Sequence, residues 1–66
     1  MSEGWQERAV HELDELTTRC AKLAAFVRTD EYHQLPIGEQ IRLALQKHHM
    51  IAYRNVLAAR VASHFI

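Results

Sequence analysis

The chain has 66 residues, and its eight Lys and Arg side chains balance its eight Asp and Glu side chains. A chain this short buries only about 60% of its unfolded surface, so we expect one small domain with a marginal core that gains further burial by association. Zero net charge argues against the broad basic surface that duplex nucleic acid requires, and a single cysteine excludes a disulfide framework.

Residues from about 3 to 28 predict a first helix with one apolar stripe. The stripe has coiled-coil spacing, and its members are Ala9, Leu13, Leu16, Cys20, Leu23 and Val27, with Trp5 extending it toward the N-terminus. Polar side chains occupy the opposite side of this helix. We therefore expect one face to pack against a partner helix and the other to face solvent.

Residues from about 29 to 36 predict a short helical corner. Thr29 suits an N-cap, and Pro36 suits the first turn of a following helix. Tyr32 is expected to pack under this corner. Because the connection is short, the two long helices should be antiparallel neighbours, with Leu16 opposite Tyr53. The predicted fold is all-α: an antiparallel two-helix hairpin that forms one domain over residues 1–66.

Residues from about 37 to 65 predict a second helix with two apolar seams. The first seam contains Leu43, Met50, Leu57 and Val61. The second lies on roughly the opposite side and contains Ile41, Leu45, Ala52, Val56 and Ala59. Since one hairpin covers only one seam, we expect homo-oligomerisation through this helix, as a four-helix bundle or a larger assembly.

Neither a secretory signal nor a membrane span is indicated. The N-terminal Met-Ser-Glu-Gly-Trp lacks a basic segment followed by an apolar run. Polar residues interrupt the second helix too often for a bilayer span of about 20 apolar residues. A lone cysteine fits a reducing compartment. We therefore expect a cytoplasmic protein that does not enter a membrane.

Charge is divided unevenly between the halves of the chain. Residues 1–34 contain four Lys or Arg and seven Asp or Glu, whereas residues 35–66 contain four and one, so the halves carry −3 and +3. Polar residues on the second helix form one continuous line, which we call the polar strip: Arg42, Gln46, His49, Tyr53 and Arg60. Arg54 lies with Lys47 on the far side of the first seam.

The polar strip is the best candidate for a ligand site. Guanidinium groups bind phosphate through directed donors, tyrosine stacks on or hydrogen-bonds to a base or ribose, and glutamine recognises polar edges. Trp5 close to Arg8 would also suit a nucleobase, although a tryptophan there more often anchors the helix end. The alternative for the strip is that Gln46 and Tyr53 are ordinary interface residues and the arginines are solvated or paired with acids of the first helix.

Other reactive side chains favour structural interpretations. His48 and His49 are adjacent and diverge by about 100°, so they cannot share one metal ion. His11 and Glu15 have ligand spacing but lie on the solvated side, and Cys20 falls within the apolar stripe. The clustered acids of the first helix have no apolar surroundings to raise a pKa. We therefore expect no metal, no cofactor and no enzymatic activity.

Several segments together resemble a family of small phage-encoded helical-hairpin proteins that act as sponges for host nucleotide immune signals. They are Trp5-Gln6-Glu7-Arg8, the seam Leu13, Leu16, Leu23 and Phe26, the corner Tyr32-His33-Gln34-Leu35-Pro36, and Gln46 with Met50, Tyr53 and Leu57. The resemblance covers nearly the whole chain. It implies a non-enzymatic anti-defence protein of the infected host's cytoplasm, which holds an ADP-ribose-derived or cyclic nucleotide signal between protomers.

Under this hypothesis Arg42, Arg54 or Arg60 would hold phosphates, while Gln46, His49 and Tyr53 surround the base or ribose. A second hypothesis is a helical interaction module that inhibits or adapts a host protein through its exposed faces. A small nucleic-acid accessory protein is a third, and zero net charge argues against it.

Overall fold

The computed structural model describes residues 3–63, with side chains from Gly4 onward. This part of the chain contains three helices and no strand: α1 (Glu3–Phe26), α2 (Asp30–His33) and α3 (Ile37–Ser63). The all-α prediction is confirmed. The last residues of the predicted second helix, 64 and 65, lie outside the described residues.

Helix α1 ends at Phe26, two residues earlier than the sequence predicted. Thr29 causes this end, because its amide donates to the Phe26 carbonyl at 2.9 Å and its hydroxyl donates to the same oxygen at 2.7 Å. The Thr29 hydroxyl oxygen also accepts from the Tyr32 amide at 3.2 Å, which makes Thr29 the N-cap of α2. One side chain therefore satisfies a free carbonyl of α1 and a free amide of α2.

The corner between α2 and α3 is fixed by hydrogen bonds to backbone groups. Tyr32 is buried, and its hydroxyl donates to the Gln40 carbonyl at 2.7 Å. The Gln40 side chain returns across the corner, and its amide donates to the carbonyls of His33 at 3.1 Å and Leu35 at 2.8 Å. The predicted position of Tyr32 under the corner is confirmed, and the corner is a rigid support for the residues beside it.

The two long helices, α1 and α3, pack side by side and run in opposite directions. Trp5 lies beside Arg60, Glu12 contacts Tyr53, and Thr17 contacts Arg54, so α1 and α3 are antiparallel. The buried core between them consists of Ala9, Leu16, Cys20 and Leu57, against which Leu13, Met50 and Val61 pack. The predicted stripe of α1 is confirmed at the core positions. Tyr53, which was predicted to lie opposite Leu16, is 46% exposed, and its hydroxyl donates to Glu12 of α1.

Helix α3 leaves its second seam open to solvent. Exposure along this side ranges from 52% at Leu45 and 54% at Ile41 to 60% at Val56 and 70% at Ile37. We call these residues, with the exposed Ala52 and Ala59, the open face of α3. The molecule measures 48 × 18 × 14 Å and is accordingly elongated. No described helix is both long enough and apolar enough to cross a membrane.

Candidate functional site

The polar strip follows one exposed line of α3 and is too long to form a single pocket within one chain. From Arg42 to Arg60 it covers about 27 Å at a rise of 1.5 Å per residue. All five strip residues are exposed. The strip residues contact different side chains along the length of α3. The strip therefore has three parts: the end near the corner, the middle, and the end near the start of α1.

At the corner end, Arg42 is already engaged. Its Nε and Nη2 both donate to one carboxylate oxygen of Glu39, at 3.0 and 2.9 Å. The next strip residue is Gln46, whose side-chain amide donates weakly to the Met50 sulfur at 3.7 Å. The side-chain carbonyl oxygen of Gln46 makes no hydrogen bond with a described residue and remains available to a ligand.

In the middle of the strip, the Tyr53 hydroxyl donates to the Glu12 carboxylate of α1. This hydrogen bond raises the pKa of Tyr53, since ionising the phenol would place two negative charges in contact; partial desolvation adds to the rise, and Arg60 opposes it. His49 makes a ring contact with His48 at 5.5 Å between centroids. The contact between Tyr53 and Glu12 places a carboxylate in the middle of the strip, where it would repel a phosphate.

Near the start of α1, Arg60 lies over Trp5, with its Cζ 6.0 Å from the ring centroid. This distance is at the outer limit of a cation–π interaction. Arg8 is close by in sequence but faces a different surface, an open groove of about 530 Å³ that also includes Glu7, Glu12 and Glu15. Trp5 and Arg60 therefore form a pair, whereas Arg8 lies among carboxylates.

Arg54 lies apart from the strip, in agreement with its predicted position on the far side of the first seam. Its Nε donates to the Thr17 hydroxyl at 3.3 Å, and its Nη1 donates to the Asn55 side chain at 3.0 Å. The residue as a whole is half-buried, and its guanidinium links α3 to α1. Within one chain the structure thus separates Arg54 from Gln46, His49 and Tyr53, with which it had been grouped.

A second open groove crosses from α1 to α3 next to the corner, and we call it the cross-helix groove. It has a volume of about 330 Å³ and is lined by Arg19, Lys22, Leu23, Phe26, Gln46 and Met50. Gln46 is the polar-strip residue that lines it. Sequence reasoning had treated Arg19 and Lys22 as solvent-facing. A signal was nevertheless present, because Arg19 and Phe26 are seven residues apart and share one side of α1.

The remaining reactive side chains are in structural surroundings. Cys20 is buried in the core at 7% exposure. His11 and Glu15 form an exposed contact at 3.4 Å, and Glu15 also pairs with Arg19 at 3.8 Å. Among residues 3–63 there is no group of three or more His, Cys, Asp or Glu side chains that could hold a metal ion.

Comparison with known proteins places the chain in a family. No curated protein and no solved structure shows significant similarity to it. The family model described as Sequestin matches residues 3–63, which is almost the full length. The chain belongs to the Sequestin family.

Proposed function

We propose that this protein is a non-enzymatic phage anti-defence protein that sequesters a host nucleotide immune signal. The signal is an ADP-ribose derivative or a cyclic nucleotide, and binding keeps it from its effector. The observation that carries the proposal is the Sequestin match over residues 3–63, because the name of that family denotes sequestration. The exposed cationic and aromatic side chains support a phosphate-bearing nucleotide as the ligand, and the sequence resemblance supports a phage origin of the protein.

The exposed side chains fit a ligand that has both phosphate and a planar ring. Arg60 beside Trp5 offers a cation and an aromatic surface, and Gln46 offers an amide. Binding without turnover agrees with the solvent-exposed positions of the described acidic side chains of α1, because general acid or base catalysis needs a carboxyl group held against the reacting atoms. Such surroundings favour holding a nucleotide over cleaving it.

The working form in this proposal is a homo-oligomer joined through the open face of α3. A compact monomer of 7.7 kDa would expose roughly 4,300 Å² and have a radius of gyration of about 11 Å. This chain exposes 5059 Å² and has a radius of gyration of 15.0 Å. The excess surface includes the four large aliphatic side chains of the open face. A second copy would bury them and bring two sets of strip residues to one boundary, which would form pockets between protomers.

A binding assay with a nucleotide panel tests the function. ADP-ribose, its cyclic derivatives and cyclic dinucleotides are each titrated into the purified protein while thermal unfolding is followed. A true ligand at one hundred times its Kd should stabilise the protein by about 2.7 kcal/mol and raise the melting temperature. Mass spectrometry of the material released by heat should then return the nucleotide unchanged.

Two outcomes would contradict the proposal. The absence of a thermal shift with every nucleotide at millimolar concentration would remove the ligand class. Recovery of a hydrolysed or rearranged nucleotide, dependent on time and protein, would replace sequestration by catalysis. If no nucleotide bound but a host protein co-purified in a fixed ratio, the open face of α3 would instead be a docking surface for that partner.

A further inference from the structure

We propose that the cross-helix groove holds the phosphate and one base of the bound nucleotide. This inference rests on the proposed function and adds a location that the polar strip did not include. Arg19 and Lys22 would contact phosphate, Phe26 would contact the ring, and Gln46 would recognise its polar edge. The groove volume of about 330 Å³ lies at the lower end of the range for small-molecule sites, roughly 300–1,000 Å³.

Electrostatics favours this groove over the larger one on α1. The larger groove is lined by the three carboxylates of Glu7, Glu12 and Glu15 and by one guanidinium, that of Arg8. The cross-helix groove is lined by two cations and no carboxylate. Carboxylates repel the negative charge of a phosphate, whereas ammonium and guanidinium groups attract it. The phosphate groups of the ligand would therefore be repelled by the larger groove and attracted by the smaller one.

The cations of the cross-helix groove are more free to bind a ligand than Arg42 of the polar strip. Arg42 is less available to a ligand, because its Nε and Nη2 both donate to the Glu39 carboxylate, at 3.0 and 2.9 Å. The Lys22 ammonium, in contrast, makes no hydrogen bond or ion pair with any residue the structure describes. Arg19 has a single contact, to Glu15 at 3.8 Å, and its side chain is 64% exposed. An exposed ion pair of this length is a weak interaction, so a phosphate can replace it.

The floor of the groove supplies an apolar surface on a rigid support. Leu23, Phe26 and Met50 are half-buried, so each presents part of its side chain to the groove. Phe26 meets the ring of Tyr32 edge to face, with centroids 6.0 Å apart and planes at 83°. Tyr32 is held in turn by its hydrogen bond to Gln40. Phe26 is therefore pre-oriented, which lowers the entropy lost when a ring packs against it.

The test compares groove variants with matched variants elsewhere, using the nucleotide of the panel that stabilises the wild-type protein most. Arg19→Ala and Lys22→Ala should each weaken binding about tenfold or more, because each removes a charge-assisted contact. Phe26→Leu should weaken binding while leaving its salt dependence unchanged, since it removes a ring and no charge. Arg28→Ala removes the same charge from an exposed position outside the groove, and its affinity should stay within about twofold of wild type.

Far-ultraviolet circular dichroism and solution mass must match the wild type for each variant that is compared. Wild-type affinity in both Arg19→Ala and Lys22→Ala, or equal weakening by Arg28→Ala, would overturn the groove assignment while leaving sequestration intact. Loss of binding confined to Arg60→Ala would move the site to the other end of the polar strip. The two proposals fail together only if the wild-type protein binds no nucleotide at all.

Discussion

Leu57 is the most deeply buried large side chain among the described residues, at 1% exposure, and Leu57→Ala should be strongly destabilising. The substitution removes three carbon atoms from the contact with Ala9, Leu16 and Cys20. At about 0.8 kcal/mol per carbon, the transfer contribution is about 2.4 kcal/mol, and the cavity left behind brings the loss into the range of about 2–5 kcal/mol. Domains of this length have a total stability of about 3–10 kcal/mol, so the variant should be close to unfolding.

Ile51→Ala is the matched control, because it also removes three carbon atoms from α3. Ile51 is 37% exposed, so about 1.5 kcal/mol of transfer energy is lost, and the better helix propensity of alanine returns about 0.4 kcal/mol. Urea denaturation, followed by circular dichroism at one fixed protein concentration, should rank wild type, Ile51→Ala and Leu57→Ala in descending stability. Equal losses in the two variants, or a loss below about 1 kcal/mol for Leu57→Ala, would refute the placement of the core.

Three further substitutions test the corner, the strip and the open face. Thr29→Ala should lower the free energy of unfolding by about 0.5–2 kcal/mol in denaturation experiments, since it removes the cap shared by α1 and α2, and an unchanged value would contradict this role. Glu12→Gln should lower the pKa of Tyr53 in tyrosinate absorbance titrations; no change would rule out Glu12 as the cause of the raised value. If the protein associates as proposed, Leu45→Glu should lower its mass in light scattering to that of a monomer, and an unaltered oligomeric mass would exclude the open face as the interface.

The effect of Tyr53 on stability has a defined direction with pH. Its pKa is higher in the folded chain than in the unfolded one, so the folded state binds this proton more tightly. The resulting stabilisation is complete below the ordinary tyrosine pKa of about 10 and is lost as the pH rises through the raised value. In Tyr53→Phe, this alkaline loss of stability should be reduced.

Local physical rules were sufficient for much of the fold. Coiled-coil spacing in α1 identified Ala9, Leu16 and Cys20 as core residues, because the 3.6-residue period fixes which side chains share a face. Thr29 and Pro36 located the corner, since capping and the ring of proline act on their immediate neighbours. The same periodicity identified the second apolar side of α3, which a single chain does not cover.

Only the tertiary structure determined which side chains of different helices meet. The polar strip was correctly predicted as a line of exposed side chains on α3. The spacing within α3 does not, however, indicate which side chains of α1 lie beside that line. Packing gave Tyr53 the carboxylate of Glu12 as its partner, and it brought Gln46 to the groove of Arg19 and Lys22. Such contacts depend on the relative rotation and axial offset of α1 and α3, which are set by how the whole core fills space and not by the spacing within either helix.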